Sequence, residues 1–197
     1  GQRELSEVLV GLRSIGSGRY ILNGLDVTNK GPHAIRAAGV GFIPESPLYY
    51  SLSGDLSLAE NAALTLYGDK VLLPRRALLA RVKELMERYR VAAPSPRVQA
   101  KALSGGNVMR FTIARETEFS TKALVTLNPL RSLDEKFAAS FIGMLRETAR
   151  KRGISVVYIS ENLDEVLVVS DAVAVIKAGE IVGVFRRDCL LYTSDAA

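Results

Sequence analysis

The residues Leu103-Ser104-Gly105-Gly106-Asn107 form a short, glycine-rich stretch directly before a predicted helix that runs to about Glu118. A serine and two glycines at the start of a helix present free backbone N–H groups, and the positive end of the helix dipole lies beside them. Such a turn favours an anion, and in particular a phosphate group. The structural alternative is a serine-capped helix with a glycine-rich start, and the stretch alone fits both interpretations.

Further polar residues follow a predicted buried strand that ends at Leu127-Asn128. Ser132-Leu133-Asp134 comes shortly afterwards. The succession of an anion-binding turn, a buried strand and these polar residues favours a phosphate site over a simple helix cap. Asp134 also has a structural alternative, because acids are stabilised in the first turn of a helix, and Ser132 with Glu135 fits a capping box.

Alternating helices and strands must position these residues. The runs KALVTLN (122–128) and SVVYIS (155–160) are nearly continuous apolar segments, typical of parallel strands buried on both faces. A long helix is predicted between them at 133–152. Residues 172–185, with a turn at Ala178-Gly179, predict a hairpin that closes the edge of the sheet. The fold class is therefore α/β, with a mostly parallel sheet flanked by helices.

The first half of the chain predicts short mixed elements and then an inserted helical section at about 50–100. The early elements are a helix at 1–12, a strand at 19–24, a helix at 33–38 and a strand at 39–44. A capping-box pattern, Ser57 with Glu60, begins a predicted helix over 57–67. A second helix is predicted over 75–90, where apolar residues recur on one face.

Composition excludes several classes of protein. The 197 residues are 48% hydrophobic and 24% charged, as expected for one globular domain with a sizeable core. No apolar run approaches the ~20 residues that cross a bilayer, and no signal-peptide pattern opens the chain. The net charge of +5 comes from scattered positions without interleaved aromatic residues, so we interpret it as solvated surface and expect no nucleic-acid partner.

The two ends of the sequence suggest a fragment. The run CLLYTSDAA (189–197) matches the translation of a transposon-end sequencing adapter, and the chain begins at Gly1 without a methionine. We therefore expect the domain to occupy 1–188 and treat 189–197, including the lone Cys189, as a scar. The alternative is a natural tail.

Together these patterns resemble the nucleotide-binding domain of ABC transporters, a P-loop-NTPase-like fold, from Gly1 to about Phe185. LSGG (103–106) is similar to the family signature, IPES (43–46) to a loop after a sheet strand, and DLSLAEN (55–61) to the start of a helical subdomain, placed here at about 50–118. GQREL, LSLAEN, LSGGN and ENLDEVLVVSD further resemble the second nucleotide-binding half of importers for simple sugars and especially nucleosides. In that group two such halves share one polypeptide.

The departures from the family pattern concern the chain's own nucleotide site. If Gly1 is the last glycine of a phosphate loop, Gln2 replaces the lysine that reaches the phosphates, and Arg3 replaces the hydroxyl that holds Mg²⁺. Leu127-Asn128 stands where the resemblance places the acidic pair that ends the Walker B strand. The remnant site therefore predicts weakened binding of phosphate and of magnesium, and no catalytic or metal-binding residue of its own.

Two further positions carry acids where the family carries neutral side chains. Glu45 replaces a glutamine in the loop that faces the permease, and Glu161 replaces the histidine of the switch position. An extra anion at either place repels phosphate unless it is protonated or paired. Glu161 also has a structural interpretation, since it precedes a predicted helix where acids are favourable.

The resemblance implies a division of labour between two halves packed head to tail. ATP, with Mg²⁺ bound chiefly by the partner half, would lie between that half's phosphate loop and this chain's signature turn. Ser104, Gly105 and Gly106 would then donate hydrogen bonds to the γ-phosphate, and Asp134 would lie at the seam between the two sites. The isolated chain is expected to be inactive.

The resemblance also implies a location and partners. The protein would sit at the cytoplasmic face of the plasma membrane against transmembrane permease subunits, whose loops would dock near Glu45, and it would serve a solute-binding protein indirectly. Two alternatives stay open. One is a non-hydrolysing nucleotide-binding or regulatory module. The other, a chromosome-maintenance or repair ATPase with the same signature, expects a long coiled coil that this sequence does not contain.

Overall fold

The structure is a computed structural model that describes residues 1–66 and 74–186. The predicted scar at 189–197 and the last residue of the predicted helix at 57–67 lie outside these ranges. The elements in chain order are α1 Gln2–Leu9, β1 Ile21–Leu22, β2 Leu25–Asp26, α2 Pro32–Ala37, β3 Val40–Ile43, α3 Pro47–Tyr50, α4 Leu58–Leu66, α5 Arg75–Arg88, a 3₁₀ turn Ala100–Ala102, α6 Gly105–Phe119, β4 Ala123–Leu127, α7 Glu135–Arg152, β5 Ser155–Ile159, α8 Leu163–Val169, β6 Ala172–Lys177 and β7 Glu180–Arg186.

The central layer is a parallel three-stranded sheet in the order β3-β4-β5. Every residue of β3 and β4 is buried, which confirms for the run 122–128 the prediction of a strand covered on both faces. The same prediction is wrong for the run 155–160, because β5 is an edge strand of this sheet in which Ser155 and Val157 are exposed and only Ile159 is buried. Alternate side chains enter two different cores: Leu124 packs in the core on one face, and Val125 packs in the core on the other. The α/β fold with a mostly parallel sheet is therefore as the sequence predicts.

The helical section packs against the first of these cores. Leu78, Val82 and Leu85 form the buried face of α5, and together with α4 and α6 they continue the core that covers the sheet. The predicted capping box is present at the start of α4: the backbone N–H of Ser57 donates to Glu60 Oε2 at 2.8 Å, and that of Glu60 donates to Ser57 Oγ at 3.2 Å.

A small hairpin precedes the sheet. The predicted strand at 19–24 shortens to the two residues of β1, which pair antiparallel with β2. The turn between them is Asn23-Gly24, and both residues have positive φ, 47° and 79°. This is the backbone that an Asn-Gly pair favours in a two-residue hairpin, so the break in the strand is encoded locally.

The prediction that the last hairpin closes the sheet is wrong. Strands β6 and β7 pair with each other as a separate two-stranded sheet, and β5 pairs only with β4 among the described strands. A cavity of about 760 Å³ separates β5 from β6, and residues of both strands line it together with residues of α7 and α8. A direct ladder requires strands about 4.8 Å apart, and no ladder joins β5 to β6.

Of the helices in the described ranges, none combines the length and the apolar character that a membrane span requires.

Helix α7 ends at Gly153, which has left-handed backbone angles, φ 64° and ψ 31°. We expect Gly153→Ala to lower the free energy of unfolding by about 1 kcal/mol, because a Cβ is strained in this conformation. The matched control is Gly143→Ala inside the same helix, where a Cβ would meet no atom within 4 Å. That change should stabilise the protein by about 0.5–1 kcal/mol. Urea unfolding of both variants measures the two effects, and effects of the same sign would contradict this prediction.

Candidate functional site

The glycine-rich turn lies on the surface at the start of α6. Ser104 and Gly105 are exposed, Gly106 and Asn107 are half-buried, and Leu103 packs partly against the core. Ser104 is the N-cap residue in an extended conformation, yet its side chain makes no capping hydrogen bond to the helix. The backbone N–H groups of a first helical turn have no partner within the helix, so this turn can offer them to an anion.

The space around the two glycines differs. A Cβ at Gly105 would meet no heavy atom within 4 Å, so the turn is open to an approaching ligand on that side. A Cβ at Gly106 would lie 3.3 Å from the carbonyl oxygen of Ser132. Gly106 therefore allows α6 to pack closely against the loop that precedes α7.

Asp134 connects this turn to α7. It is the N-cap of α7, and its Oδ1 accepts a hydrogen bond from Phe137 N at 3.0 Å. Its other oxygen accepts from Arg110, whose guanidinium carbon lies 4.4 Å from the centre of the Phe137 ring. The N–H of Phe137, and next Arg110, hold the pKa of Asp134 below its usual range. The cap is thus formed by Asp134, and the predicted capping box starting at Ser132 is wrong.

A second cluster forms at the carboxyl ends of the three parallel strands, where ligands of open α/β sheets bind. Glu45 follows β3, Asn128 follows β4 and Glu161 follows β5. The guanidinium of Arg3, in the first turn of α1, donates to Glu45 Oε1 at 2.7 Å. Asn128 Nδ2 donates to Glu45 Oε2 at 3.3 Å, and the N–H of Glu161 donates to Asn128 Oδ1 at 3.4 Å.

The structure thus brings together four of the residues singled out in the sequence, although they are far apart along the chain. Two other residues predicted for this nucleotide site, Leu127 and Gln2, do not take part in these hydrogen bonds. The side chain of Leu127 is buried in the core, and Gln2 lines the cavity between β5 and β6. Arg131, which the sequence did not single out, adds a second cation 3.8 Å from Glu45 Oε2.

The charge balance of this second cluster does not fit a magnesium ion. Partial burial opposes the ionisation of Glu45, but hydrogen bonds from Arg3 and Asn128 outweigh it and hold the pKa of Glu45 below its usual range. Both oxygens of this carboxylate are therefore engaged by nitrogen donors. Across residues 1–66 and 74–186, no group of three or more His, Cys, Asp or Glu side chains could hold a metal ion. A cation here would have to displace the Arg3 guanidinium.

The sequence did not reveal a buried ionic network behind the glycine-rich turn. Glu116 on α6 is fully buried, and its carboxylate accepts two hydrogen bonds from Arg36 at 3.0 and 2.9 Å. It also accepts from Arg115 Nε at 2.8 Å and from the backbone N–H of Phe42 in β3 at 3.0 Å. This carboxylate joins α6 to α2 and to the edge of the sheet.

Arg115 extends the network towards the helical section. Its guanidinium, only 2% exposed, donates to the carbonyl oxygen of Ser51 at 2.7 Å and to that of Asn61 on α4 at 3.3 Å. Two adjacent charged residues in a segment flanked by apolar and small side chains were the available signal in the sequence. The helix that begins with the glycine-rich turn is therefore anchored to both the sheet and the helical section.

Comparison with solved structures defines the fold class. A dimeric ATP-binding cassette in a post-hydrolysis state, bound to ADP and phosphate, superposes with a TM-score of 0.81 over 95% of this chain and 81% of its own, at 18% identity. A nucleotide-free cassette from an ABC transporter gives 0.76 over 100% and 80%, at 20% identity. No protein-family model matches the chain. The chain has the fold of the ABC-transporter ATP-binding cassettes.

Sequence comparison shows which ABC ATP-binding proteins the chain is similar to. A glucose import ATP-binding protein of Haloferax volcanii is 36% identical in an alignment of 192 positions that covers 92% of this chain and 34% of that protein. A nucleoside import ATP-binding protein of Lactococcus lactis is 36% identical over 93% of this chain and 37% of its own length. The chain spans about a third of the length of these relatives. It is a homologue of ABC ATP-binding proteins for sugar and nucleoside import, which confirms the resemblance seen in the sequence.

Proposed function

We propose that this chain is the second ATP-binding half of an ABC importer for nucleosides or simple sugars. It supplies Ser104, Gly105 and Gly106 to the ATP site of the first half, while its own cleft is degenerate and does not hydrolyse ATP. The observation that carries the proposal is the contrast between the two clusters. The glycine-rich turn is exposed with free donors, whereas the cleft at Glu45 is occupied by the Arg3 ion pair.

The signature turn acts on the γ-phosphate held by the partner half. The N–H groups of Gly105 and Gly106 are fixed by the helix before the phosphate arrives, and the Ser104 hydroxyl lies beside them, so the amide donors lose little freedom when they bind it. Donors placed in this way contribute several kcal/mol to a transition state in which charge develops on oxygen. Mg²⁺ would be bound chiefly by the partner half, since the cleft of this chain does not fit it.

The proposed import function also implies a cellular location and partner subunits for the protein. We place it at the cytoplasmic face of the plasma membrane, against permease subunits and, through them, a solute-binding protein. A docking area near Glu45 is supported by the neighbouring helix α3, where Tyr49 is 81% exposed and Leu48 is 45% exposed. Exposed aromatic side chains are enriched in protein interfaces. The relatives' names, which specify glucose and nucleoside import, support the class of solute.

Turnover by the intact two-half protein tests the proposal. We expect Ser104→Phe to lower kcat for ATP by about 100-fold, because the ring removes the hydroxyl and keeps the γ-phosphate away from the amides. The matched control is Ser17→Phe in an exposed loop, which should leave kcat unchanged.

Two results would count against this function. Unchanged turnover in the Ser104 variant would contradict a role of the signature turn in trans. A native two-half protein that binds ATP without hydrolysing it would instead favour the alternative, a non-hydrolysing regulatory module. The observation that favours this alternative is the Arg3–Glu45 ion pair, which fills this chain's own cleft.

A further inference from the structure

The side-chain amide of Asn107 lies between the signature serine and the loop that follows α5. Its Nδ2 is 3.0 Å from Ser104 Oγ, and its Oδ1 accepts from the backbone N–H of Ala92 at 2.7 Å. A backbone N–H can only donate a hydrogen bond, so the atom that faces Ala92 must be the amide oxygen. The orientation of the amide group is therefore fixed by its surroundings, and the nitrogen must face Ser104.

This orientation determines what the Ser104 hydroxyl can do. Because Asn107 Nδ2 donates to Ser104 Oγ, the oxygen acts as an acceptor in that bond and its own proton is left for another partner. The hydroxyl makes no capping bond to its own helix. Ser104 is exposed, so the proton can be directed outward to an anion at the start of α6.

The loop that orients Asn107 is itself held by α6. Arg110, one helical turn after Asn107, donates to the carbonyl oxygen of Arg90 at 2.9 Å. Arg90 has a positive φ of 52°, a conformation that a residue with a side chain adopts only when its neighbours hold it. Two side chains of α6 thus fasten the segment 90–92 beside the signature turn.

We propose that Asn107 is a positioning residue that keeps the Ser104 hydroxyl turned outward as a hydrogen-bond donor. The inference rests on the proposed function, in which Ser104 meets the γ-phosphate held by the partner half. Asn107 itself needs no contact with the nucleotide. By donating to Ser104 Oγ, it leaves the Ser104 hydroxyl to act as a donor, and not as an acceptor, towards the phosphate.

A double-mutant cycle on turnover by the intact two-half protein tests this role, with Asn107→Ala, Ser104→Ala and the double variant. We expect Asn107→Ala to lower kcat about fivefold, because the hydroxyl loses its fixed orientation. In the Ser104→Ala background the same change should cost less than about twofold. Equal losses in both backgrounds would show that Asn107 acts by another route and would overturn the inference.

Asn107→Asp adds a readout that a purely structural role would not give. A carboxylate cannot donate, so the Ser104 proton would turn inward to it, and the added negative charge would face the phosphate. We expect a larger loss of kcat than with Asn107→Ala, although both variants remove the donor to Ser104 and the aspartate, unlike the alanine, keeps an acceptor for the N–H of Ala92. The control is Gln99→Ala, which removes a surface amide that binds the Asp55 carbonyl and should not change kcat.

The outcomes separate this inference from the proposed function. If Ser104→Ala lowers turnover and the Asn107 variants do not, the positioning role is wrong and the proposed function stands. If Ser104→Ala leaves turnover unchanged, both are wrong, whatever the Asn107 variants do.

Discussion

Glu116→Gln is expected to lower the free energy of unfolding by about 3–5 kcal/mol, although the two side chains have nearly the same shape. Glu116 is completely buried and is the counter-charge for Arg115, which is 2% exposed, and for Arg36. A neutral amide would leave the guanidinium of Arg115 buried without compensation. It would also place an N–H₂ group against donors, because Arg36, Arg115 and the N–H of Phe42 all donate to this carboxylate.

Urea unfolding at neutral pH measures the effect, with Glu84→Gln as the matched control. Glu84 is an exposed acid on α5, 3.6 Å from Arg81, and the loss of such a surface pair should cost less than about 1 kcal/mol. Equal effects of the two substitutions would show that the buried network contributes no more than a surface pair.

Acid pH gives an independent measurement on the same carboxylate. Burial raises the pKa of Glu116, but Arg115, Arg36 and the N–H of Phe42 outweigh it, so the folded-state pKa lies below the ordinary value of 4.5. The stability gained from its ionisation is therefore fully present above the unfolded-state pKa, and it is lost as pH falls through the folded-state pKa. The native protein should lose stability over this window more steeply than the Glu116→Gln variant, which lacks the titrating group.

Local patterns explain what could be predicted from the sequence. The strands at 123–127 and 155–159 are nearly continuous apolar runs, and the Ser57–Glu60 cap joins residues three positions apart, so short windows of sequence contain these features. The glycine-rich turn at 104–106 is likewise defined by its own residues and the helix that follows. Periodicity, capping chemistry and turn residues were sufficient for these features.

The features that could not be predicted depend on partners far apart in the chain. Glu45 binds Arg3, which lies 42 positions away in the sequence, and Glu116 binds Arg36, which lies 80 positions away. No rule of sequence spacing predicts either pair. The isolated β6–β7 hairpin has the same cause, because a strand's own pattern does not reveal which edge lies beside it. For the cluster at Glu45, the sequence identified Arg3, Glu45 and Asn128 but not the ion pair and the hydrogen bond between them.

Close packing between α6 and the sheet leads to the second large effect. Gly41 lies in the middle of β3, opposite Leu124 of β4. A Cβ at this position would lie 2.9 Å from Ser120 Cβ, 3.0 Å from Leu124 Cδ1 and 3.2 Å from the carbonyl oxygen of Glu116. Two of these three atoms belong to α6 and its C-cap residue, and one of them is backbone, so rotation of a flexible side chain cannot make enough room.

Gly41→Val is therefore expected to destabilise the protein by about 3 kcal/mol, since the buried branched side chain must push α6 away from β3. The displacement would also lengthen the hydrogen bond between the Phe42 N–H and Glu116, which lies beside the same contact. Urea unfolding measures the loss. The control is Gly16→Ala, at an exposed glycine where an added Cβ would meet no atom within 4 Å, and it should change stability by less than about 0.5 kcal/mol.

A Gly41→Val protein as stable as the native one would show that α6 can move freely on the sheet. In that case the anchoring of the signature turn through α6 would have to come from the helical section alone, through the bonds that Arg115 donates to the carbonyl oxygens of Ser51 and Asn61.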